Sequence, residues 1–593
     1  MGENLRLSEN AVHVLEARYL RRGGDKRIVE SPEKLFDRVA AAVSEAEQNW
    51  GGREKAAAWR DEFRRMLLSF EFLPNSPTLM NAGTPLGQLS ACFVLPVEDT
   101  MEGIFDAIKQ MALVQRTGGG TGFSFSRLRP KGAVVASTGG EASGPVSFMK
   151  IFDAATEHIK QGGRRRGANM GILRVDHPDI MEFVTAKLDG KTLQNFNISV
   201  GATDEFLKAA RENQNYKLRD PATGRPAGER HAKEVFDAIV QAAWQTGDPG
   251  LIFLDTINRA NPTPQLGLIE ATNPCGEIPL LPYEACNLAS INLLRMLREE
   301  GGKAGIDEEK LRKTVRKAVR FLDDVIEVNR YPVPEIEKIA RANRKIGLGV
   351  MGFAEMLIRL GVPYDSAGAV ETGEALMKLI FEEARAASRA LAEERGVFAN
   401  WKGSVYEKRN LPLRNAALAA IAPTGTISII AGTSASIEPL FALAYRRHAL
   451  EKKILYDVNP VFLRYLEDHQ LNREEILEEI YKKGRLKDVR GVPEKVKRLF
   501  VTALEIPVDQ HLAIQAAFQR HVDNSVSKTI NMPHEAAPAD VARAYWRAWE
   551  LGLKGITIYR YGSKSSQVLK LGVDEDALRH EYSPRCDPGE CKI

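Results

Sequence analysis

A thiol set between an amide and a carboxylate is the most chemically loaded feature of this chain. In Asn273-Pro274-Cys275-Gly276-Glu277 the amide and the carboxylate each lie two residues from the cysteine. If the segment is extended, side chains repeat every second residue, so Asn273, Cys275 and Glu277 share one face and Pro274 and Gly276 the other. A helix is disfavoured, because Pro274, Pro279 and Pro282 are too closely spaced for helical hydrogen bonding. The expectation is a polar cluster on one side of a stiff loop, a site whose chemistry this spacing leaves open.

The chain has five cysteines in 593 residues, too few for a disulfide scaffold and in keeping with a reducing compartment. Cys275 and Cys286 could form a disulfide or help hold a structural zinc. Their ten-residue separation lacks the paired C-x(2-4)-C spacing usual for zinc. Cys586 and Cys591, with His580 nearby, come closer to a metal pattern. A redox dithiol is the favoured reading of that pair, since the chain around it is charged and broken by Pro and Gly, as in a flexible, exposed tail. Cys92, after Gln-Leu-Ser-Ala, completes the set.

Anion-binding candidates come next. Lys160 to Asn169 reads KQGGRRRGAN, in which glycines allow close backbone approach and Arg165 and Arg166 offer forked donors suited to phosphate. A solvated basic turn is the plain alternative. The glycine-rich run Thr117 to Gly122 has neither Walker nor Rossmann spacing and suits close approach to a ligand or a tight turn. Ala422 to Ser428, APTGTIS, could bind phosphate through backbone amides and hydroxyls, or could simply turn the chain into an apolar strand.

These residues need a scaffold. Apolar runs at Gly171–Val175, Ile198–Val200, Leu251–Leu254 and Ile427–Ile430 read as strands, and Val146–Lys160, Glu308–Asn329 and Glu371–Glu394 read as helices. Such alternation implies an α/β architecture with a mostly parallel sheet or barrel, preceded by a charged helical segment from Asn10 to about Leu68. With 82 basic and 78 acidic residues the charge is +4, which gives no reason to expect nucleic-acid binding. Without a leader-like start or a long apolar run, the expectation is a soluble, cytoplasmic protein with no membrane partner.

In combination these pieces resemble the large catalytic chains of ribonucleotide reductases, most closely the adenosylcobalamin-dependent class II enzymes. The resemblance is carried by Asn273 to Glu277, Phe72 to Gly83 (FLPNSPTLMNAG), Leu89 to Phe93 (LSACF), Pro423 to Ile427 and the tail cysteines. It implies that Cys275 is the thiyl radical that removes the ribose 3′ hydrogen. Glu277 would be the base at the 3′ hydroxyl, and Asn273 an amide binding the sugar oxygens. Cys92 and Cys286 would reduce the substrate and become a disulfide, which Cys586 and Cys591 re-reduce before thioredoxin or a similar protein recharges them.

Substrate contacts implied by the resemblance are Ser76, Ala91, Cys92, Gly120, Asn273, Pro274, Cys275, Gly276, Glu277, Pro423, Thr424, Gly425, Thr426 and Ile427. Asp99, Thr100, Met101 and Arg129 match a site for a deoxynucleoside triphosphate effector across a dimer interface. Lys160, Gln161, Arg165 and Arg166 match the loop coupling that effector to base selection. The implied substrate is a ribonucleoside diphosphate, the implied cofactor adenosylcobalamin, and the implied assembly a homodimer; no resident metal site is expected. The implied fold is a ten-stranded α/β barrel of two antiparallel five-stranded halves, with Asn273 to Leu288 forming a finger loop inside it.

The expected organisation is a helical segment 1–71 without an ATP cone, a barrel 72–571 and a redox tail 572–593. Class I large chains, the alternative, receive their radical through adjacent tyrosines near the C-terminal end. Here that stretch reads GITIYRYG, Gly555 to Gly562, without adjacent tyrosines, and this favours cobalamin.

Overall fold

Helix signals at the N-terminal end are local and strong. Ser8 caps α1 (Glu9–Val14), which runs into a π-turn at Leu15–Tyr19, and Ser31 followed by Pro32 starts α2 (Pro32–Ser44). Leu35, Phe36, Val39 and Val43 repeat on one face of α2 and are buried, packed with Phe63, Met66 and Leu67 of α3 (Gln48–Leu68). The computed structural model describes residues 5–135, 139–161, 165–449, 453–471, 474–563 and 569–571. The tail 572–593, with Cys586 and Cys591, lies outside the described residues.

Ten strands form one connected sheet: β1 (Phe72–Pro74), β2 (Cys92–Val94), β3 (Gly120–Ser124), β4 (Asn169–Arg174), β5 (Phe196–Ala202), β6 (Gly250–Phe253), β7 (Ala285–Asn292), β8 (Ile346–Met351), β9 (Thr529–Met532) and β10 (Gly555–Arg560). Strands β2 to β6 run parallel, each beside the next. At one end β6 meets β10 antiparallel, and β10 pairs in parallel with β9. At the other end β2 meets β7 antiparallel, and β7 pairs in parallel with β8. Two parallel bridges, Leu348 to Ala419 and Ile421 to Val526, carry the pairing from β8 through residues 419–421 to the approach of β9. The ring therefore has two parallel halves, antiparallel to each other, as expected. β1 pairs antiparallel with β7 outside this ring.

The helices that bear on the site are α4 (Ser76–Asn81), α5 (Met101–Arg116), α6 (Pro145–His158), α7 (Glu308–Val328), α8 (Ala367–Arg395) and α9 (Ile427–Ala431). The last corrects the sequence reading, which took Ile427–Ile430 as a strand. Thr424 sits at φ +54° and turns the chain, Ser428 N–H donates to the Thr424 carbonyl at 2.9 Å, and left-handed Gly432 ends the turn. The strand position belongs instead to the apolar run just before it. A four-residue apolar run carries too little periodicity to separate strand from buried helix.

Large apolar clusters pack helices onto the outside of the two halves, and a smaller one fills the interior. That inner cluster joins Met170, Ile172 and Ile252 of the strands to Ala271, Ile278 and Leu280 of a hairpin threaded through the barrel.

Candidate active site

Antiparallel arms Ala271–Thr272 and Pro279–Leu280 form this hairpin, and residues 273–278 are its turn. Period-two alternation therefore does not hold. Gly276, at φ +82°, reverses the chain, so Asn273 and Glu277 are buried while Cys275 is exposed at the tip. Asn273 Oδ1 accepts from Ile278 N–H at 3.0 Å, and Gly276 N–H donates to the Asn273 carbonyl at 3.1 Å, fixing the turn from within. From outside, Asn197 Nδ2 donates to the Pro274 carbonyl at 2.8 Å, and Ser525 N–H to the Glu277 carbonyl at 2.8 Å.

Glycines in β3 make room for the hairpin. A methyl group at Gly122 would overlap the Thr272 carbonyl oxygen, and one at Gly120 would come within 2.9 Å of the Pro274 ring. The run Thr117 to Gly122 thus serves close approach, of the protein's own hairpin.

Cys92 and Cys286 face each other as register partners where β2 meets β7, both buried. Directly opposed antiparallel residues have Cα atoms about 4.5–5.5 Å apart, within the range a disulfide spans. Both are thiols in this structure, as is Cys275. Asn273 Nδ2 donates to Cys92 Sγ at 3.2 Å, tying the hairpin to that pair. Burial first, then the nearby Glu277 carboxylate and the other two thiols, pushes the Cys92 thiol well above its ordinary range. Burial likewise raises Cys286, against the opposing pull of Lys345.

Burial also raises Glu277 to about 7, although Asn273 pulls it down. Its Oε2 finds no hydrogen-bond partner among the described residues. A buried carboxyl near 7 with an open oxygen is suited to taking a proton near neutral pH. At the tip, Pro274, Cys275 and Gly276 border a cavity of about 460 Å³ with Asn197, Ser199, Glu438, Lys528 and Tyr559 among its other walls. Cys275 borders this cavity and also acts through charge on the buried Cys92 thiol.

Other predicted contacts converge to differing degrees. Ala91 N–H donates to the Cys286 carbonyl at 3.0 Å, and Gly120 N–H to the Ala91 carbonyl at 2.8 Å, so both belong to the ladder around the thiols. Ser76 opens α4 and is half-buried. Pro423 reaches the cavity wall, and exposed Gly425 and half-buried Thr426 lie between buried Thr424 and buried Ile427. Asp99, Thr100, Met101 and Arg129 gather at the start of α5, on the barrel's outside. There Thr100 caps the helix, Arg129 Nε pairs with Asp99 Oδ2 at 2.8 Å and Met101 is 55% exposed. Lys160 pairs with Arg166 and Gln161 with Arg165 in a small antiparallel ladder beside α5. The turn 162–164 lies outside the described residues.

Sequence reasoning passed over Asn197, Ser199, Glu438 and Lys528. Their one available signal is a polar side chain inside or beside an apolar strand, which is too common to single out a site.

Comparison with known proteins fits this geometry. Residues 90–413 and 407–559 match the ribonucleotide reductase barrel domain, and residues 5–87 the all-alpha domain of the same enzymes. The chain belongs to the ribonucleotide reductase family. It is 50% identical to the vitamin B12-dependent ribonucleoside-diphosphate reductase of Thermoplasma acidophilum, over 99% of this chain and 86% of that one. A Mycobacterium tuberculosis protein of the same description is also 50% identical, over 100% of this chain and 83% of its own length. Among solved structures, the Actinobacillus ureae class Id ribonucleotide reductase alpha subunit superposes with a TM-score of 0.77 at 25% identity, covering 94% of this reductase chain and 99% of that one. The all-alpha match extends past residue 71, across β1 and α4, so Ser76 falls within it.

Proposed function

We propose that this chain reduces ribonucleoside diphosphates to 2′-deoxyribonucleotides with adenosylcobalamin as cofactor. The observation that carries the reading is the place of Cys275, at the tip of a hairpin whose Asn273 bonds Cys92 of the Cys92–Cys286 pair and on the wall of the cavity of about 460 Å³. The cavity suits a nucleoside-bearing cofactor: it has apolar walls at Met170, Ile198 and Phe441 and polar ones at Asn197, Ser199 and Lys528. The two relatives described as vitamin B12-dependent support the same assignment.

Held there by Asn197, Ser199 and Lys528 against the apolar walls, adenosylcobalamin would supply the radical that starts the reaction and would accept the Cys275 hydrogen. Cys275 gives up its Sγ hydrogen atom to that radical, as a thiyl takes the 3′ hydrogen of the ribose, and returns it to C3′ once C2′ has been reduced. Glu277 accepts the 3′ hydroxyl proton, a role suited to a carboxylate whose pKa is raised to about 7. Asn273 holds the sugar oxygens. Cys92 and Cys286 together supply two electrons and two protons: the 2′ hydroxyl leaves as water, a C2′–H bond replaces it, and the two sulfurs join as a disulfide. Raised thiol pKa values keep both protons in place until that step.

Substrate phosphates bind at Ser76 and the Pro423 to Ile427 loop. The Asp99 to Met101 stretch with Arg129 binds a deoxynucleoside triphosphate effector at a homodimer interface, and Lys160, Gln161, Arg165 and Arg166 relay its identity. Cys586 and Cys591 return electrons from thioredoxin or a similar protein. The assigned compartment is the cytoplasm; among the described residues no helix is long and apolar enough to cross a membrane.

The test is reduction of CDP and CTP by the purified chain and a small dithiol, with and without adenosylcobalamin. Reduction of CDP only with the cofactor supports the proposal. No turnover with it points to a separate radical-generating subunit, and preference for CTP overturns the diphosphate assignment.

A further inference from the structure

Ser76, assigned above to the substrate phosphates, is reached by a residue far away in sequence. Tyr19 closes the π-turn after α1, is 2% exposed, and holds its phenolic oxygen 2.7 Å from Ser76 Oγ. Such widened turns recur at functional sites. The same helical piece touches the other phosphate element: α1 packs against α9, the helix led in by Pro423 to Thr426, and the π-turn packs against α4, which Ser76 begins. Beside Ser76, buried Asn75 spends its Oδ1 on Thr78 N–H at 3.3 Å and on Thr78 Oγ1 at 2.5 Å. Its Nδ2 is left without an acceptor among the described residues, an unused donor at the same corner.

We propose that Tyr19 is a positioning residue that holds the Ser76 hydroxyl as a donor to the substrate's diphosphate, so that the N-terminal helical segment forms one wall of the substrate site. A serine hydroxyl has a single hydrogen. If Ser76 spent it on Tyr19, only oxygen lone pairs would face the phosphate and would repel it. With the phenol donating to Ser76 Oγ, the serine hydrogen is released toward the anion and strengthened by the bond behind it. The inference rests on the phosphate assignment of Ser76 made above.

Tyr19→Phe keeps the ring in its packing and removes only the hydroxyl, so it is compared with Ser76→Ala and with the double variant. Affinity for CDP and for cytidine is read by calorimetry without turnover, KM and kcat by steady-state assay, and folding by thermal unfolding. Tyr19→Phe should weaken CDP binding and raise KM by roughly threefold to tenfold, about 0.7–1.4 kcal/mol, the worth of one ordinary hydrogen bond. We expect kcat and the unfolding midpoint to stay near wild type and cytidine binding to be unaffected. In the Ser76→Ala background Tyr19→Phe should add nothing. Unchanged CDP affinity, an equal loss for cytidine, an equal loss in the Ser76→Ala background, or a Ser76→Ala chain that binds CDP normally would each overturn it. Because binding is read without turnover, failure of the cobalamin proposal would show differently, as normal CDP affinity with no product.

Discussion

Glu277 and Asp323 are both buried carboxylates, one at the hairpin inside the barrel and the other on α7, where the barrel meets the N-terminal helices. Burial pushes both upward, but the outcomes are opposite. At the junction, Arg344, Arg414 and Arg395 outweigh burial and hold Asp323 below the usual carboxylate range. Arg395, its side chain wholly buried, binds Asp323 at 2.9 Å, Asp324 at 2.7 Å and Glu47 at 2.5 Å, and lies 4.0 Å over the Trp50 ring. Asp324 is driven well up by burial and shares a hydrogen bond with Glu47, which is held low. No guanidinium offsets Glu277, whose protein partners are an amide and its own backbone. The junction neutralises its charges and locks two parts of the chain together, while the barrel interior leaves the Glu277 carboxyl without a counter-charge beside two thiols that burial keeps protonated.

Removing one group from each region should separate these roles. The largest effect falls on Cys275→Ser: deoxynucleotide formation should drop to background while the unfolding free energy stays within about 0.5 kcal/mol of wild type. Glu277→Gln should lower kcat by about 10²- to 10⁴-fold, the usual worth of a general base. In the wild type, kcat/KM should climb with pH through about 7 as Glu277 loses its proton. The stability sign is opposite: a carboxyl raised from 4.5 to about 7 favours the folded state fully below 4.5 and loses that contribution as pH rises through 7. Glu277→Gln should therefore match wild-type stability at acid pH and exceed it by up to about 3 kcal/mol at pH 8. Activity near wild type at pH 8 would place Glu277 with the junction carboxylates as structural.

Arg395→Ala should do the reverse, costing about 3–5 kcal/mol in denaturant unfolding because it strands buried carboxylates. CDP affinity of the chains that remain folded should change little. A variant that unfolds normally but fails to bind CDP would erase the contrast between the two regions.

The sequence exposed the chemistry of the site better than its geometry. Cys275, Glu277 and Asn273 stand out as candidates because thiol, carboxylate and amide crowd into five residues, and the parallel strands at Gly171, Ile198 and Leu251 were legible because buried strands are unbroken apolar runs. Alternation misplaced the Cys275 side chain because it assumes a strand, whereas left-handed Gly276 makes a turn. Ile427–Ile430 misled because the chain closes the barrel a few residues earlier with bridges too short to leave a pattern. The opposition of Cys92 and Cys286 and the reach of Tyr19 to Ser76 are set by tertiary register, which no local spacing encodes. The junction network is equally hidden: Glu47, Asp323 and Arg395 lie on three separate helical elements and read individually as ordinary surface charges.

The central claim is that Cys275, alone among the thiols of the described residues, links the cavity to the proposed substrate side. It is tested most directly by incubating the chain, CDP and a small dithiol with adenosylcobalamin tritiated at the adenosyl 5′ carbon, and counting tritium released to water. A hydrogen passing through a thiol exchanges with solvent, so wild type, Cys92→Ser and Cys286→Ser should all release label, and Cys275→Ser should release none. Release by Cys275→Ser at the wild-type rate would contradict the account.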